Sequence, residues 1–390
     1  MFKKRTHIIL VLLLLIALVI WAGGCAKQQE TPQGTAQGSE FKLPEKIVIG
    51  WAPPDITGVF KTAQDYLESA AKDAKEKVGL NIEIITRAPS AHTEYANQVA
   101  ILENFIQRKV DAIVVSPIDV EPIKPVIKKA NDAKIPVIVV NLLEPIEGIE
   151  VASYIGFDNE QAARVSAYAV LDYLGGPGVL GEGEKVTVSP ETYLDEAWWK
   201  DLYSKVDTNS IKGNVAIIEG VAGDFFSNAR TKGFRDVISK FPGVKILTVL
   251  PADWNREKAV KAAENILQNY KDVDVIWAEC AEMALGAKNA VQAANRQDQV
   301  AVFSNDGTPE SVDEIRKGTI VAETWHGFPE WGWYGTKFAA MLKLGLQIPE
   351  IFDVRPRTEY KDNADMFYPN PKLEPIDWNK IVDDAKALSK

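Results

Sequence analysis

The chain is poor in the residues that build metal and disulfide sites. It has two cysteines, Cys25 and Cys280, and three histidines, His7, His92 and His326, in 390 residues. Two cysteines far apart give no disulfide framework. Three scattered histidines with no cysteine cluster argue against a zinc site, and no other metal or cofactor is expected. Positive charge is also short: 44 Lys and Arg stand against 54 Asp and Glu, a net charge of −10. Such a surface repels nucleic acid and anionic lipid, so neither is expected as a partner. No apolar run reaches the roughly 20 residues that a membrane span needs. The longest, Ile8–Ala22, is a fifteen-residue stretch. Tryptophan, by contrast, is abundant, at ten.

The short apolar run sits in a telling context. Lys3, Lys4 and Arg5 precede it, and Gly23, Gly24 and Cys25 follow it. A charged start, an apolar segment and a small-residue cut site read as an export signal, with a retained signal anchor as the alternative. The Gly-Gly-Cys ending resembles the lipobox of bacterial lipoproteins, although Ala22 stands where that motif usually has Leu. The resemblance implies that Cys25 is acylated and becomes the new N-terminus, at the outer face of the cytoplasmic membrane. Whether that face is a periplasm or a cell surface is left open. Cys25 would then be spent on lipid, so no intramolecular disulfide is expected. Ala26–Glu40 is rich in Gln, Gly, Thr and Ser, a composition that cannot offset its ordering entropy and reads as a flexible tether.

About 365 residues remain after the cut, enough for two lobes with separate cores. From Glu45 onward short β-rich runs alternate with amphipathic runs. Five strand candidates come first: Ile47–Gly50, Ile82–Thr86, Ala112–Ser116, Val137–Val140 and Val151–Gly156. Five more follow: Val215–Glu219, Lys245–Leu250, Val273–Ala278, Val300–Ser304 and Ile320–Thr324. Continuous apolar strands separated by helices imply parallel sheets covered on both faces. The expected fold is α/β, with two doubly wound parallel-sheet lobes. A ligand then belongs at the carboxyl ends of the strands, in the cleft between the lobes. The stretch Gly175–Gly213 is longer than a helix-to-strand loop needs. Its aromatic residues Tyr193, Trp198, Trp199 and Tyr203 predict a packed excursion with one helix near Leu194–Lys205.

The strand ends carry four ordered motifs: Gly-Val-Ala-Gly (220–223) with Ala-Arg-Thr-Lys-Gly-Phe (229–234), Pro-Ala-Asp-Trp (251–254), Ala-Glu-Met-Ala-Leu-Gly-Ala (281–287) and Asn-Asp-Gly-Thr-Pro (305–309). In this order and spacing they resemble the type I periplasmic binding proteins of ABC sugar importers, the ribose-binding branch above all. The likeness covers about Glu45 to Leu346. The repressors that share this fold are excluded, because an export signal replaces their DNA-binding helices. The resemblance implies a three-segment hinge, near Gly156–Asp158, near His326 and near Ile351–Val354. It divides the chain into a signal (1–24), a tether (25–44), a first lobe (45–157 with 327–352) and a second lobe (158–326 with 353–390, carrying the insertion 176–213). The tail after Asp353 is expected to pack on the second lobe.

Position by position, the resemblance implies that Arg230 clamps ligand hydroxyls, Asp306 accepts their protons, and Trp254 stacks on a sugar ring. Phe60 is the expected wall from the first lobe, with Asp55 or Thr57 of the same loop, which is longer than in the ribose branch, as the alternative. The departures matter as much. Asn141 stands where the ribose branch has Asp, and Leu142 replaces the Arg that follows. Cys280, or its neighbour Glu279, falls where that branch has Asn, and His326 falls where it has Gln. Trp51, Trp277 and Trp325 are expected nearby, whereas Trp331 and Trp333 read as helix packing. The expected ligand is a small neutral sugar, polyol or similar metabolite, and the expected partner is an ABC permease. The protein itself is expected to be a monomer. Cys280, His326 and Asp306 could be imagined as nucleophile, base and orienter, but nothing in the sequence places the cysteine at a helix N-terminus with oxyanion donors, so no enzyme is expected. A ligand-sensing subunit for a membrane histidine kinase or chemoreceptor is the alternative to transport.

Overall fold

The computed structural model describes residues 41–181, 186–369 and 371–389. The signal, Cys25 and nearly all of the tether lie outside the described residues. The first half runs β1 (Ile47–Ala52), α1 (Gly58–Val78), β2 (Ile82–Thr86), α2 (Tyr95–Gln107), β3 (Ala112–Val115), α3 (Val120–Asp132), β4 (Val137–Val140) and β5 (Ser153–Gly156). The second runs α4 (Asn159–Tyr173), α5 (Glu196–Tyr203), β6 (Gly213–Glu219), α6 (Phe225–Ile238), β7 (Val244–Pro251), α7 (Arg256–Asn269), β8 (Val275–Ala278), α8 (Ala281–Ala293), β9 (Ala301–Asp306), α9 (Pro309–Lys317) and β10 (Ala322–Trp325). The chain ends with α10 (Phe328–Lys343), β11 (Ile351–Asp353), β12 (Arg357–Tyr360) and α11 (Trp378–Leu388).

Two six-stranded sheets result, in the orders β11-β5-β4-β3-β1-β2 and β12-β10-β9-β8-β6-β7. Every pairing is parallel except that of β12 with β10. All four residues of β3 and of β4 are buried, because helices cover both faces of the sheet. Side-chain caps fix where helices begin: Asp224 accepts from Ser227 N at 2.5 Å, and Asn255 from Lys258 N at 3.0 Å. Thr308 accepts from Ser311 N at 3.1 Å, with Pro309 in the first turn of α9. Each cap lies just after a strand, so the caps also set the rim of the cleft.

The chain passes between lobes after β5, after β10 and after β11. At the second passage Gly327 takes φ +74°, a left-handed conformation that lets α10 start at once on the first lobe. The excursion at 176–213 carries α5 and packs on the second lobe, where Trp199 is fully buried and donates from Nε1 to Thr358 Oγ1 at 2.8 Å.

The tail corrects the expectation made for it. β12 and Ala364 do join the second lobe. The chain then returns, and Ile376, Trp378 and Ile381 enter the core of the first lobe. Trp378 donates from Nε1 to Asp73 Oδ2 on α1 at 2.9 Å, and Trp333 donates to the Glu374 carbonyl at 3.0 Å. The physical reason is the apolar face of α11, whose Trp378 and Ile381 find α1 and its neighbours in the first-lobe core. The chain therefore crosses between lobes a fourth time.

Candidate functional site

The carboxyl ends of the two sheets face each other across a cleft of about 600 Å³, counted to its open mouth. That volume falls within the range of small-molecule sites. The lobes touch around it. Phe226, on α6 of the second lobe, is buried within a cluster of first-lobe side chains. Glu282, at the start of α8, lies beside Gly58 of α1.

Arg230 reaches the cleft from α6 and is 4% exposed. It is held from several sides. Nε donates to Asn159 Oδ1 at 3.0 Å, Nη1 donates to the Glu279 carbonyl, and Nη1 lies 3.9 Å from Asp306 Oδ1. Nη2 makes no hydrogen bond to protein among the described residues, which leaves one edge of the fork for a ligand. The guanidinium also lies 5.2 Å from the centroid of the Trp254 ring.

Asp306 ends β9 with φ +119°, and its Oδ2 accepts from Ala281 N at 2.9 Å. Burial pushes its pKa up to about 7, and the charge of Arg230 only partly offsets the rise. A hydroxyl donating to Oδ1 would favour the ionised form. Asn141 closes the first-lobe side. Its φ of 68° is a conformation Asn tolerates, and its buried Oδ1 has no protein hydrogen-bond partner. A buried acceptor without a donor costs about 1–3 kcal/mol, so this atom calls for a donor from a bound molecule.

Aromatic rings wall the space between these polar groups. Trp254 is pinned by a bond from Nε1 to Asp224 Oδ2 at 3.1 Å and by Gly220, where a Cβ would come within 2.1 Å of the indole. Phe60 lines the opposite wall, 6.5 Å from Trp331 between ring centroids.

Six of the expected contacts thus line one cavity: Phe60, Asn141, Arg230, Trp254, Cys280 and Asp306. His326 does not. It is fully buried behind Asp306, with Nδ1 3.4 Å from Oδ1 and its ring stacked on Phe157 at 3.9 Å. The turn from β10 into α10 tucks the side chain into the hinge, and burial drives its pKa well down, leaving a neutral imidazole. Contrary to expectation, Cys280 does stand at a helix N-terminus, at the N-cap position of α8, where its side chain makes no cap hydrogen bond. Burial and then the charge of Asp306 push its thiol pKa up, and the first amide of α8 is already bonded to Asp306. The backbone bond from Met283 does not offset this, so the thiol stays protonated and is not activated as a nucleophile.

The tryptophans sort differently from the expectation. Trp51 is core to the first lobe, Trp277 stacks on Phe234 at 4.1 Å, and Trp325 packs 5.1 Å from Phe367. None of the three lines the cavity, whereas Trp331 does. Being on the buried face of α10 and facing the cleft are compatible, since the helix starts at the hinge. His92, Phe226 and Phe328 also line the cavity and were not anticipated. His92 follows β2, so the rule that ligands sit at strand ends would have found it there. Among the described residues no group of three or more His, Cys, Asp or Glu side chains could hold a metal ion.

Two α/β lobes with a polar, aromatic-walled cleft at their strand ends define a two-lobed ligand-binding protein. The chain belongs to the periplasmic binding protein family, whose model, described as the periplasmic binding protein domain, matches residues 49–347. It is 28% identical over 313 residues to a D-ribose/D-allose-binding protein of Pseudomonas aeruginosa, covering 79% of this chain and 86% of that protein. It is 25% identical to a xylitol-binding protein of Mycolicibacterium smegmatis, covering 74% and 68% of the two chains. A solute-binding protein of an ABC transporter from Actinobacillus succinogenes, solved with bound D-allose, superposes with a TM-score of 0.67 at 24% identity, over 82% of this chain and 99% of that one.

Proposed function

We propose that this protein captures a small neutral sugar or polyol between its lobes and delivers it to an ABC permease. The observation that carries this reading is the pairing of Arg230, Asp306 and the unpartnered Asn141 Oδ1 with the faces of Trp254, Phe60 and Trp331. A sugar has hydroxyl edges and apolar C–H faces, and this cavity offers the complement of both. The relatives with sugar and polyol names agree in chemical class. One arginine against three lining carboxyl groups, Asp55, Glu282 and Asp306, disfavours anionic ligands such as sugar phosphates. The ligand is held by hinge closure, which is favoured only by contacts absent from the open state. Acylation at Cys25 would keep the protein beside its permease at high effective concentration. The protein acts as a monomer and performs no chemistry on its ligand.

A thermal-shift screen over aldoses, ketoses, polyols and nucleosides tests the reading. One class of neutral polyhydroxylated ligand should raise the melting point in a concentration-dependent way. Stabilisation by nucleosides alone, or by no member of the screen, would overturn it.

A further inference from the structure

The departures at Asn141 and Leu142 leave the first lobe short of polar contacts. Leu142 is fully buried in the core, so Asn141 is the one side chain of that strand end that reaches the ligand space. Resting on the sugar-binding reading above, we propose that His92 is a further ligand-contacting residue, held in place by Asp55, which accepts a hydroxyl proton of the ligand at Nδ1.

Three observations carry this assignment. His92 lines the cavity with its side chain 16% exposed, and its Nε2 lies 2.6 Å from Asp55 Oδ2. Asp55 has little left to offer a ligand directly, because Oδ1 already accepts from Thr57 N at 2.7 Å and Thr57 Oγ1 at 3.0 Å. Burial raises the Asp55 pKa, but the bond from His92 and the bonds from Thr57 outweigh it and keep the carboxyl below its usual range. An ionised Asp55 places the imidazole proton on Nε2. In the neutral ring Nδ1 is then an acceptor. Lastly, the imidazole sits 5.8 Å from Phe60 on its own lobe and 6.5 Å from Trp254 on the other. Nδ1 can therefore meet a ligand only where the two aromatic walls come together, so the contact also favours closure.

The division of labour is specific. His92 touches the ligand, and Asp55 is a positioning residue that selects the tautomer. A ligand with a hydroxyl directed at the first lobe gains this bond, and its deoxy analogue at that carbon does not.

The test uses titration calorimetry at pH 8 with D-ribose, D-allose, xylitol and myo-inositol, each paired with its monodeoxy analogues. Wild-type protein should prefer one parent ligand over one of its deoxy analogues by tenfold or more. His92→Ala should abolish that one preference and leave the preferences at other carbons intact. His92→Asn, which keeps an acceptor near the Nδ1 position, should restore part of it. Nitrogen-15 NMR of the imidazole should show the Nε2–H form in wild type and a mixed population in Asp55→Asn. If neither this panel nor any sugar or polyol of the thermal-shift screen binds wild-type protein, the sugar-binding reading falls and this assignment falls with it. If the ligand binds His92→Ala with every deoxy preference unchanged, the assignment alone is refuted. An Nδ1–H tautomer in the wild-type protein would refute it as well.

Discussion

Replacing Arg230 separates the ligand's share of its work from the fold's share. In Arg230→Ala the ligand loses hydrogen bonds to a charged donor, worth about 1.5–3 kcal/mol. At about 1.4 kcal/mol per decade, that weakens Kd by roughly 10- to 150-fold. The fold loses something different. Asn159 Oδ1 loses its guanidinium donor, and a buried unsatisfied acceptor costs about 1–3 kcal/mol, whereas the Glu279 carbonyl keeps a bond from Asn305 Nδ2 at 3.4 Å. Against a typical folding stability of about 5–15 kcal/mol, the variant should still fold. Arg230→Lys keeps a charge near Asp306 but not the fork, so it should recover stability more than affinity. The charge also steadies Asp306. Without it the pKa of Asp306 rises further above about 7, and a donating ligand hydroxyl is held more strongly by the ionised form. Affinity of Arg230→Ala should therefore climb more steeply from pH 7 to 8.5 than that of wild type. Calorimetry on the best ligand of the thermal-shift screen measures affinity, and urea denaturation of the free protein measures stability. If stability falls while affinity stays within threefold, Arg230 is a structural residue and the reasoning fails.

Three further outcomes follow from the same structure. Burial lifts Asp306 to about 7, Asp224 to about 6 and Glu279 to about 8, each above the usual carboxylate range. Folding therefore favours the protonated carboxyls, while the buried neutral His326 works the other way below about pH 7; above it the carboxyls act alone, so urea stability of the free protein should fall as pH rises from 7 to 8.5, and a flat or rising profile in that window would contradict these shifts. The Cys280 thiol should react slowly with iodoacetamide at pH 8, and more slowly still under saturating ligand; no protection would place it outside the ligand space. Trp378→Ala should cost about 3–5 kcal/mol in urea stability, because a fully buried indole leaves the first-lobe core, with ligand affinity changed less than twofold. A loss under 1 kcal/mol would deny the tail its place on the first lobe.

The strands of both sheets were legible because β3, β4 and β8 are short, wholly apolar runs, the pattern of a strand buried on both faces. β11 and β12 were not, since Ile351–Asp353 is partly exposed and Arg357–Tyr360 is polar, and both exist through pairing at a sheet edge. The cleft was legible in the same way: Arg230, Trp254 and Asp306 stand in local motifs beside caps and turns that fix their backbone. His92 stood in reach of the strand-end rule, but no local motif marks it, because its partner Asp55 lies 37 positions away in the chain. His326 and the core tryptophans show the reverse error, since position near a strand end does not say which side of the sheet a side chain takes. The tail was misread because amphipathicity in Trp378–Leu388 promises a buried face without naming the surface that buries it.

A crystal structure with the ligand that most raises the melting point tests the central claim most directly. The account predicts density for one neutral polyhydroxylated molecule in the inter-lobe cleft, its ring or chain against Trp254 and Trp331 and its hydroxyls within hydrogen-bond distance of Arg230, Asp306 and Asn141. A ligand bound elsewhere, or one in the cleft that leaves Arg230 and Asp306 without a contact, would contradict it.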